Sequence, residues 1–367
     1  MRTLRLTILA LVFVFISDHA FAQMNRRAIK RNNKRISSYR GRKSTFSKDK
    51  VYSMVGLSLN ALNYYGDLSP KPSRFSTDIS FTRPAIGLSF AHRFGPRYTL
   101  TASFMYGTLK GSDRESADKD DEENGVFRYQ RNLSFRNRIK ELSIVASMDL
   151  FENQATYISR VPWTPYVYGG VSVFHHNPQA QVPLQDVNGN PFPNAGEWVD
   201  LQPLGTEGQF SDLQDGAVNK GIKPYKRIQI AIPIGIGARF RLNEVLDISG
   251  EIGFRYLFTD YIDDVSRNYV DLGALDSDVA KALSYRSNEF LTPAEINEFV
   301  DPSSPRYNPS ATNPSAYDGN VYKTLAGYGS ESKNNIRGSS NDKDIFMVTT
   351  IRVTYILGKT FHRAKFR

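Results

Sequence analysis

Few side chains in this sequence are grouped in a way that could do chemistry. The five histidines are His19, His92, His175, His176 and His362. None stands in the His-Glu-x-x-His spacing that places two imidazoles and a general base on one helix face. His175 and His176 are adjacent, so on a strand they point to opposite faces and make a poor ligand pair. Asp118, Asp120, Asp121, Glu122 and Glu123, broken by Lys119, offer the oxygen donors a hard cation takes. A solvated acidic loop is the plainer expectation. Asp186-Val187-Asn188-Gly189-Asn190 matches half of a calcium loop but lacks the distal glutamate, and reads as a turn. No Gly-x-Ser-x-Gly elbow or phosphate-cradling loop occurs. The chain has no cysteine, which excludes disulfides, thiol nucleophiles and thiolate-bound metals. The expectation is a protein that is not an enzyme, with no catalytic residue, metal, cofactor or small-molecule substrate.

One charged set remains. Arg93, Arg239, Arg241, Arg255 and Arg352 fall, together with Glu141, Asp149, Asp247 and Glu251, on the small or polar faces of alternating segments. Alternation with period two sends successive side chains to opposite faces of a strand. The clearest case is 228–241. Ile228, Ile230, Ile232, Ile234, Ile236, Ala238 and Phe240 share one face, while Gln229, Ala231, Pro233, Gly235, Gly237, Arg239 and Arg241 share the other. Pro233 lacks an N–H for the ladder and is expected to mark a bulge.

The same pattern recurs in 246–258, in the last segment from Met347 to Leu357, and earlier in 51–67, 83–94, 97–110 and 135–151. Segment 163–175 is the least regular, with Val167, Gly169, Val171 and Val173 on one face and tyrosines expected on both. Eight alternating segments predict an all-β fold: an eight-stranded antiparallel up-and-down transmembrane β-barrel. Isoleucines would meet lipid. The charged set would fill an interior that is only side-chain wide at eight strands. Opposite charges there should pair, because unpaired buried charge is costly. The expectation is a plugged lumen and not a conducting pore.

The connections fit that topology. Three are short: Gly95-Pro96, residues 152–162 and Asn243-Glu244. Four are longer: 68–82, 111–132, 176–225 and 261–343. Short turns facing the periplasm and long loops facing outward would place both termini in the periplasm. Within the longest loop, Ser277 to Tyr285 and Thr292 to Val300 read as short helices, the second opened by a capping box with proline at its first position.

The N-terminus carries an export pattern. Arg2 and Arg5 precede the apolar run Leu6 to Ile16, and Ala20-Phe21-Ala22 is a small-x-small cleavage site. Residues 1–22 are therefore expected to be a cleaved signal peptide, with no cysteine to accept a lipid. A basic tail follows in 23–50. Residues 24–50 hold eleven Lys or Arg against Asp49, so the tail accounts for the chain's net charge of +10. Its principal residues are Arg26, Arg27, Lys30, Arg31, Lys34, Arg35, Arg40, Arg42 and Lys43. Such a segment is expected to be disordered when free. Export removes nucleic acid from its partners and leaves lipid headgroups, lipopolysaccharide phosphates or an acidic protein. The barrel is expected over 51–358 and a periplasmic C-terminal tail over 359–367. The 20 Tyr and 23 Phe fit aromatic girdles, and the negative mean hydropathy excludes a helical membrane protein.

Three runs carry a family resemblance: Asn63-Tyr64-Tyr65-Gly66-Asp67-Leu68, Arg83-Pro84-Ala85-Ile86-Gly87, and Arg337-Gly338-Ser339-Ser340-Asn341-Asp342-Lys343-Asp344. Over most of 51–358 the chain resembles the Bacteroidota family of outer-membrane barrels typified by PorG of the type IX secretion system. The resemblance implies a non-enzymatic outer-membrane component of protein secretion or gliding. It also implies association with a periplasmic ring built from a lipoprotein and its partner, of the PorK and PorN type. It assigns no role to any single residue. The basic tail fits docking to such a ring. The alternative is a free-standing small barrel that binds lipid, lipopolysaccharide or an extracellular ligand through its loops. An outer-membrane lipase or protease would need a Ser/His/Asp or paired-acid arrangement that cannot be placed here.

Overall fold

The computed structural model describes residues 50–68, 81–118, 120–121, 125–152, 160–340 and 343–357. The expected signal peptide, the nine basic tail residues from Arg26 to Lys43, Lys119, Glu122, Glu123 and the C-terminal tail lie outside the described residues.

Eight long strands form where the sequence alternates. They are β1 (Tyr52–Tyr65), β2 (Arg83–Arg93), β3 (Tyr98–Ser112), β4 (Ser134–Asp149), β5 (Trp163–His175), β8 (Ile228–Arg241), β9 (Leu246–Leu257) and β10 (Ile345–Leu357). Each pairs antiparallel with the next, and β10 returns to β1 from Ser53↔Leu357 to Tyr65↔Ile345. The result is a closed eight-stranded antiparallel barrel in which no long strand has a free edge. Two short strands, β6 (Pro178–Gln181) and β7 (Trp198–Asp200), lie outside the ring. They form a hairpin on the loop-side end of β4, at Arg136↔Gln179.

Two details differ from expectation. There is no bulge at Pro233: the two residues between Gly169 and Ser172 face the two between Ile234 and Ala231, and only the pairing there is interrupted. The missing N–H removes a bond without inserting a residue. The tyrosines of β5 are not on both faces. Tyr166 and Tyr168 both point inward, and the outward Val167, Val171 and Val173 keep strict alternation.

Burial is inverted relative to a protein folded in water. Leu57, Leu59 and Ile236 are 66%, 70% and 62% exposed, while Glu141 and Asp149 are 2% and 1% exposed. Exposed Phe94, Tyr98, Phe151, Trp163, Phe240 and Tyr355 ring the short-turn end, and Tyr106, Tyr256 and Phe258 stand near the other. An apolar band between two aromatic rings, around a closed hydrogen-bond ladder, is the exterior that suits a hydrocarbon surround. No helix among the described residues is long and apolar enough to cross a membrane.

The long connections fold into a cap. Its helices are α1 (Asp113–Ser116), α2 (Gly125–Arg131), α3 (Asp278–Ser284) and α4 (Pro293–Asn297). The last two sit where the sequence placed them. Ser277 Oγ caps α3 by accepting from Ala280 N, and Thr292 and Glu295 form the predicted capping box. The cap has its own apolar core, built from Val187, Leu213, Tyr269, Leu272, Tyr285 and Tyr328 among others. A second cluster, including Leu62, Leu109, Ile139, Phe174, Leu257 and Phe346, fills the barrel mouth beneath it.

Candidate functional site

The charged set converges in the lumen as layers. Nearest the short turns, Arg93 Nη2 lies 2.7 Å from Asp149 Oδ2, and Arg239 Nη1 lies 3.6 Å from Asp149 Oδ1. In the same region Arg160 Nη2 donates to Asp247 Oδ1 at 2.6 Å. One layer up, Arg352 donates to both oxygens of Glu251 at 2.8 and 3.1 Å, and Tyr166 Oη donates to Glu251 Oε1 at 2.7 Å. Above that, Arg255 Nε donates to Glu141 Oε1 at 2.9 Å. Eight of the nine predicted residues thus meet an opposite charge.

Arg241 is the correction. Its guanidinium donates to the carbonyls of Arg160 and Asn243 at the rim, and among the described residues no carboxylate bridges to it. Arg160 takes the place expected of it. Arg160 sits in a turn, where strand alternation gives no signal.

The glycines opposite β5 explain how the tyrosines fit. A Cβ on Gly253 would lie 2.0 Å from Tyr168 Oη, and one on Gly237 would lie 2.6 Å from the Tyr166 ring. The tyrosines lie across the lumen against bare backbone. The gaps left among these side chains measure about 30 and 10 Å³, and a single water needs roughly 10–15 Å³. The described lumen is a packed polar core.

A second polar cluster joins cap to barrel rim. Asp113, fully buried, accepts from Arg131 Nε and Nη2 at 2.7 and 2.8 Å and from Arg128 Nε at 3.3 Å. Arg131 also donates to the carbonyls of Asp67 and Arg337. Arg337 Nη1 donates to Glu207 Oε1 at 3.0 Å and to the Asp264 carbonyl at 2.6 Å. Asp264 adopts φ +69°, a strained conformation that Asp tolerates better than most residues. Its carboxylate accepts from Thr206 Oγ1 and Tyr225 Oη, both at 2.6 Å. Tyr64 Oη, on β1, reaches Asp263 Oδ2 at 2.5 Å and Asp344 Oδ1 at 3.2 Å. Asp67 accepts from the Ser339 amide. Tyr64, Asp67, Arg337 and Asp344, drawn from two of the three resemblance runs, therefore meet at one junction.

Periodicity says little about this junction, since apart from Tyr64 on β1 its residues lie in the connections. The available signal was Tyr261-Ile262-Asp263-Asp264-Val265, two adjacent acids inside an apolar run. Burial raises several of these acids. Asp260 is pushed up to about 7, and Asp264 to about 6 against the opposing pull of Arg337. Asp67 rises to about 6 although Arg131 opposes the change.

The other candidates are structural. His176 is buried, its Nε2 lies 3.1 Å from the Lys226 carbonyl, and burial lowers its pKa to about 4. Asp186 Oδ1 accepts from the amides of Asn188 and Asn190, which makes the predicted turn. Asp118, Asp120 and Asp121 are exposed. Among the described residues no group of His, Asp or Glu is arranged to hold a metal. A cap cleft of about 200 Å³ is lined by Asp271, Asn313, Ser315, Tyr322 and Glu331. Asp271, Ser315 and Glu331 there already accept from backbone amides of the cap.

Residues 43–188 match a family model described as "Domain of unknown function (DUF6089)", which spans under half of the chain. No curated protein matches the chain. Among solved structures, Neisserial surface protein A is 7% identical, with 83% of this chain and 96% of that one covered and a TM-score of 0.29. OprG from Pseudomonas aeruginosa is 9% identical, covering 84% and 98%, with a TM-score of 0.33. The N-terminal β-barrel domain of Pseudomonas aeruginosa OprF is 8% identical, covering 84% and 100%, with a TM-score of 0.29. At these scores the likeness carries no argument about function, and the barrel rests on its own closed ladder.

Proposed function

We propose that this chain is a non-conducting, non-enzymatic outer-membrane barrel that serves as a structural component of a type IX protein secretion or gliding system. The observation that carries the first half is a lumen filled by paired charges inside an apolar belt. A barrel so filled acts through its ends. In this reading the signal peptide directs export, both termini lie in the periplasm, and the cap faces outward.

The secretion role rests on the resemblance of three sequence runs, and it gains support from the meeting of Tyr64, Asp67, Arg337 and Asp344 at one junction. The basic tail, Arg26 to Lys43, supplies a surface for an acidic periplasmic partner, a ring of the PorK and PorN type. Crosslinking in native membranes followed by purification of this chain is expected to recover such ring proteins, and deletion of 24–50 to abolish the recovery. Recovery of no periplasmic ring protein would sink the secretion role.

The folded cap favours a second reading. An apolar core of its own gives the outer face a fixed shape, which suits a free-standing barrel that binds lipopolysaccharide, lipid or an external ligand. In that case deletion of 24–50 leaves function intact, while exchange of the cap removes it.

A further inference from the structure

We propose that the cap is latched to the barrel rim by a proton held between Asp263 and Asp344, so that the latch is tight in acid and loosens as the surroundings become alkaline. Asp263 belongs to the cap, Asp344 leads into β10 and Tyr64 belongs to β1, so a charge change here acts between the two bodies of the fold. The inference does not depend on a role in secretion.

The geometry supplies one proton for two acceptors. Tyr64 Oη lies within hydrogen-bond reach of an oxygen from each carboxylate, and a hydroxyl has a single hydrogen to give. The remaining oxygens accept from backbone, Asp263 Oδ1 from Val265 N at 3.0 Å and Asp344 Oδ2 from Ile262 N at 2.9 Å. Both acids are 2% exposed. Among the described residues no Lys or Arg bridges to either. Two like charges in such a place cannot both ionise without a large penalty; one added proton removes it, sitting on one carboxyl and donated to Tyr64 Oη while Tyr64 donates its own to the other.

The surroundings deepen the deficit. The groups around the pair are Asp67 from the turn after β1, Asp260, Asp264 and Arg337 from the cap, Glu207 and Tyr225 from the β7–β8 connection, Asp113 and Arg131 from the β3–β4 connection, and Lys343. The arginines are engaged elsewhere: Arg131 holds Asp113, and Arg337 holds Glu207 and the Asp264 carbonyl. Glu207 is fully buried and its Oε2 has no partner, so even a bridged acid retains an uncompensated oxygen. Among the described residues no three of these carboxylates are arranged to hold a metal ion.

The titration direction agrees. Asp263 and Asp344 are raised well above the ordinary carboxylate value by burial, with Asp344 acting on Asp263 and Asp260 acting on Asp344. A folded-state pKa above the unfolded one adds stability that is complete below about 4 and is lost as pH rises through the folded values. For Asp67 and Asp260 those values are about 6 and about 7, and the pair holds its proton well above the ordinary carboxylate range.

The test is hydrogen exchange of the full chain in detergent micelles at about pH 5.5 and about pH 8.5, read as protection factors corrected for intrinsic rates. Protection at Ile262, Val265 and Ser339 should fall at least about tenfold toward alkaline pH, while β8 amides hold theirs. In Asp263→Asn and, separately, Asp344→Asn, the fall should be at least about threefold smaller than in the wild type, the remainder coming from Asp67 and Asp260, with heat-modifiable gel mobility reporting an intact barrel. The proposal is overturned if wild-type cap protection is the same at both pH values, if it falls in step with β8, or if a folded variant keeps the wild-type slope. It is also overturned if millimolar calcium restores protection at alkaline pH, since a cation would then be the neutralising species. The wild-type comparison of cap with β8 decides the matter even if neither variant folds.

Discussion

The lumen and the cap junction are both buried and both rich in carboxylates, yet they neutralise charge differently. In the lumen each acid has a guanidinium: Asp149 with Arg93, Asp247 with Arg160, Glu251 with Arg352, Glu141 with Arg255. At the junction seven acids (Asp67, Asp113, Glu207, Asp260, Asp263, Asp264 and Asp344) share Arg128, Arg131 and Arg337, and two of those arginines are bound to Asp113. Matched charges give a fixed plug. An excess of one sign gives a region whose stability follows pH. The contrast separates a part built to stay shut from a part that can respond.

The sharpest way to break the comparison is to unmatch the lumen. Glu251→Ala strands Arg352 and Tyr166 in the barrel interior and is expected to cost about 3–5 kcal/mol of barrel stability, read by denaturant unfolding in micelles. Replacing the partners together, as Glu251→Leu with Arg352→Met, should recover most of that loss. If the double variant is as unstable as the single one, packing and not charge pairing governs the plug. Next in size is the outer face. Leu59→Arg puts a cation on the exposed belt and should cost roughly 2–4 kcal/mol in a bilayer, measured by folding into lipid vesicles. A neutral outcome would remove the lipid-facing assignment of that belt.

At the junction, Asp113→Asn weakens the one well-matched acid there and should cost about 1.5–3 kcal/mol. Proteolysis of the cap should report the loss while the barrel band keeps its heat-modifiable shift. A concerted loss of barrel and cap would show that the two regions unfold as one. The smallest effect is expected from Thr292→Ala, which removes the α4 capping box for about 1 kcal/mol. Local exchange near 293–297 should rise, and the pH response of 262–265 should stay as it was.

Much of the barrel was legible because alternation is a local property. Ile228 to Phe240 reveals its two faces without knowledge of any neighbour, and the inward charges follow from the same parity. Pairing among them was predictable only as a class, since nothing in the sequence says that Arg255 meets Glu141 and not Glu251. Arg160 was missed because a turn has no parity. Parity alone puts Tyr166 and Tyr168 on one face; what the sequence does not show is that Gly237 and Gly253, on other strands, make the room they fill.

The cap shows the opposite balance. Ser277 and Thr292 marked its helices, because capping acts over three residues. Its junction was invisible, because Tyr64, Asp113, Glu207, Asp263 and Arg337 meet only after three separate connections fold together over β1.

The sequence by itself determined the eight barrel strands, their parity and the places where they turn, since each is set by residues within a few positions of one another, whereas the short β6 and β7 came only with the fold. Tertiary structure alone decided which charges meet and in what ratio. That ratio depends on through-space distances between distant segments, and burial turns it into either a matched plug or an acid-rich latch.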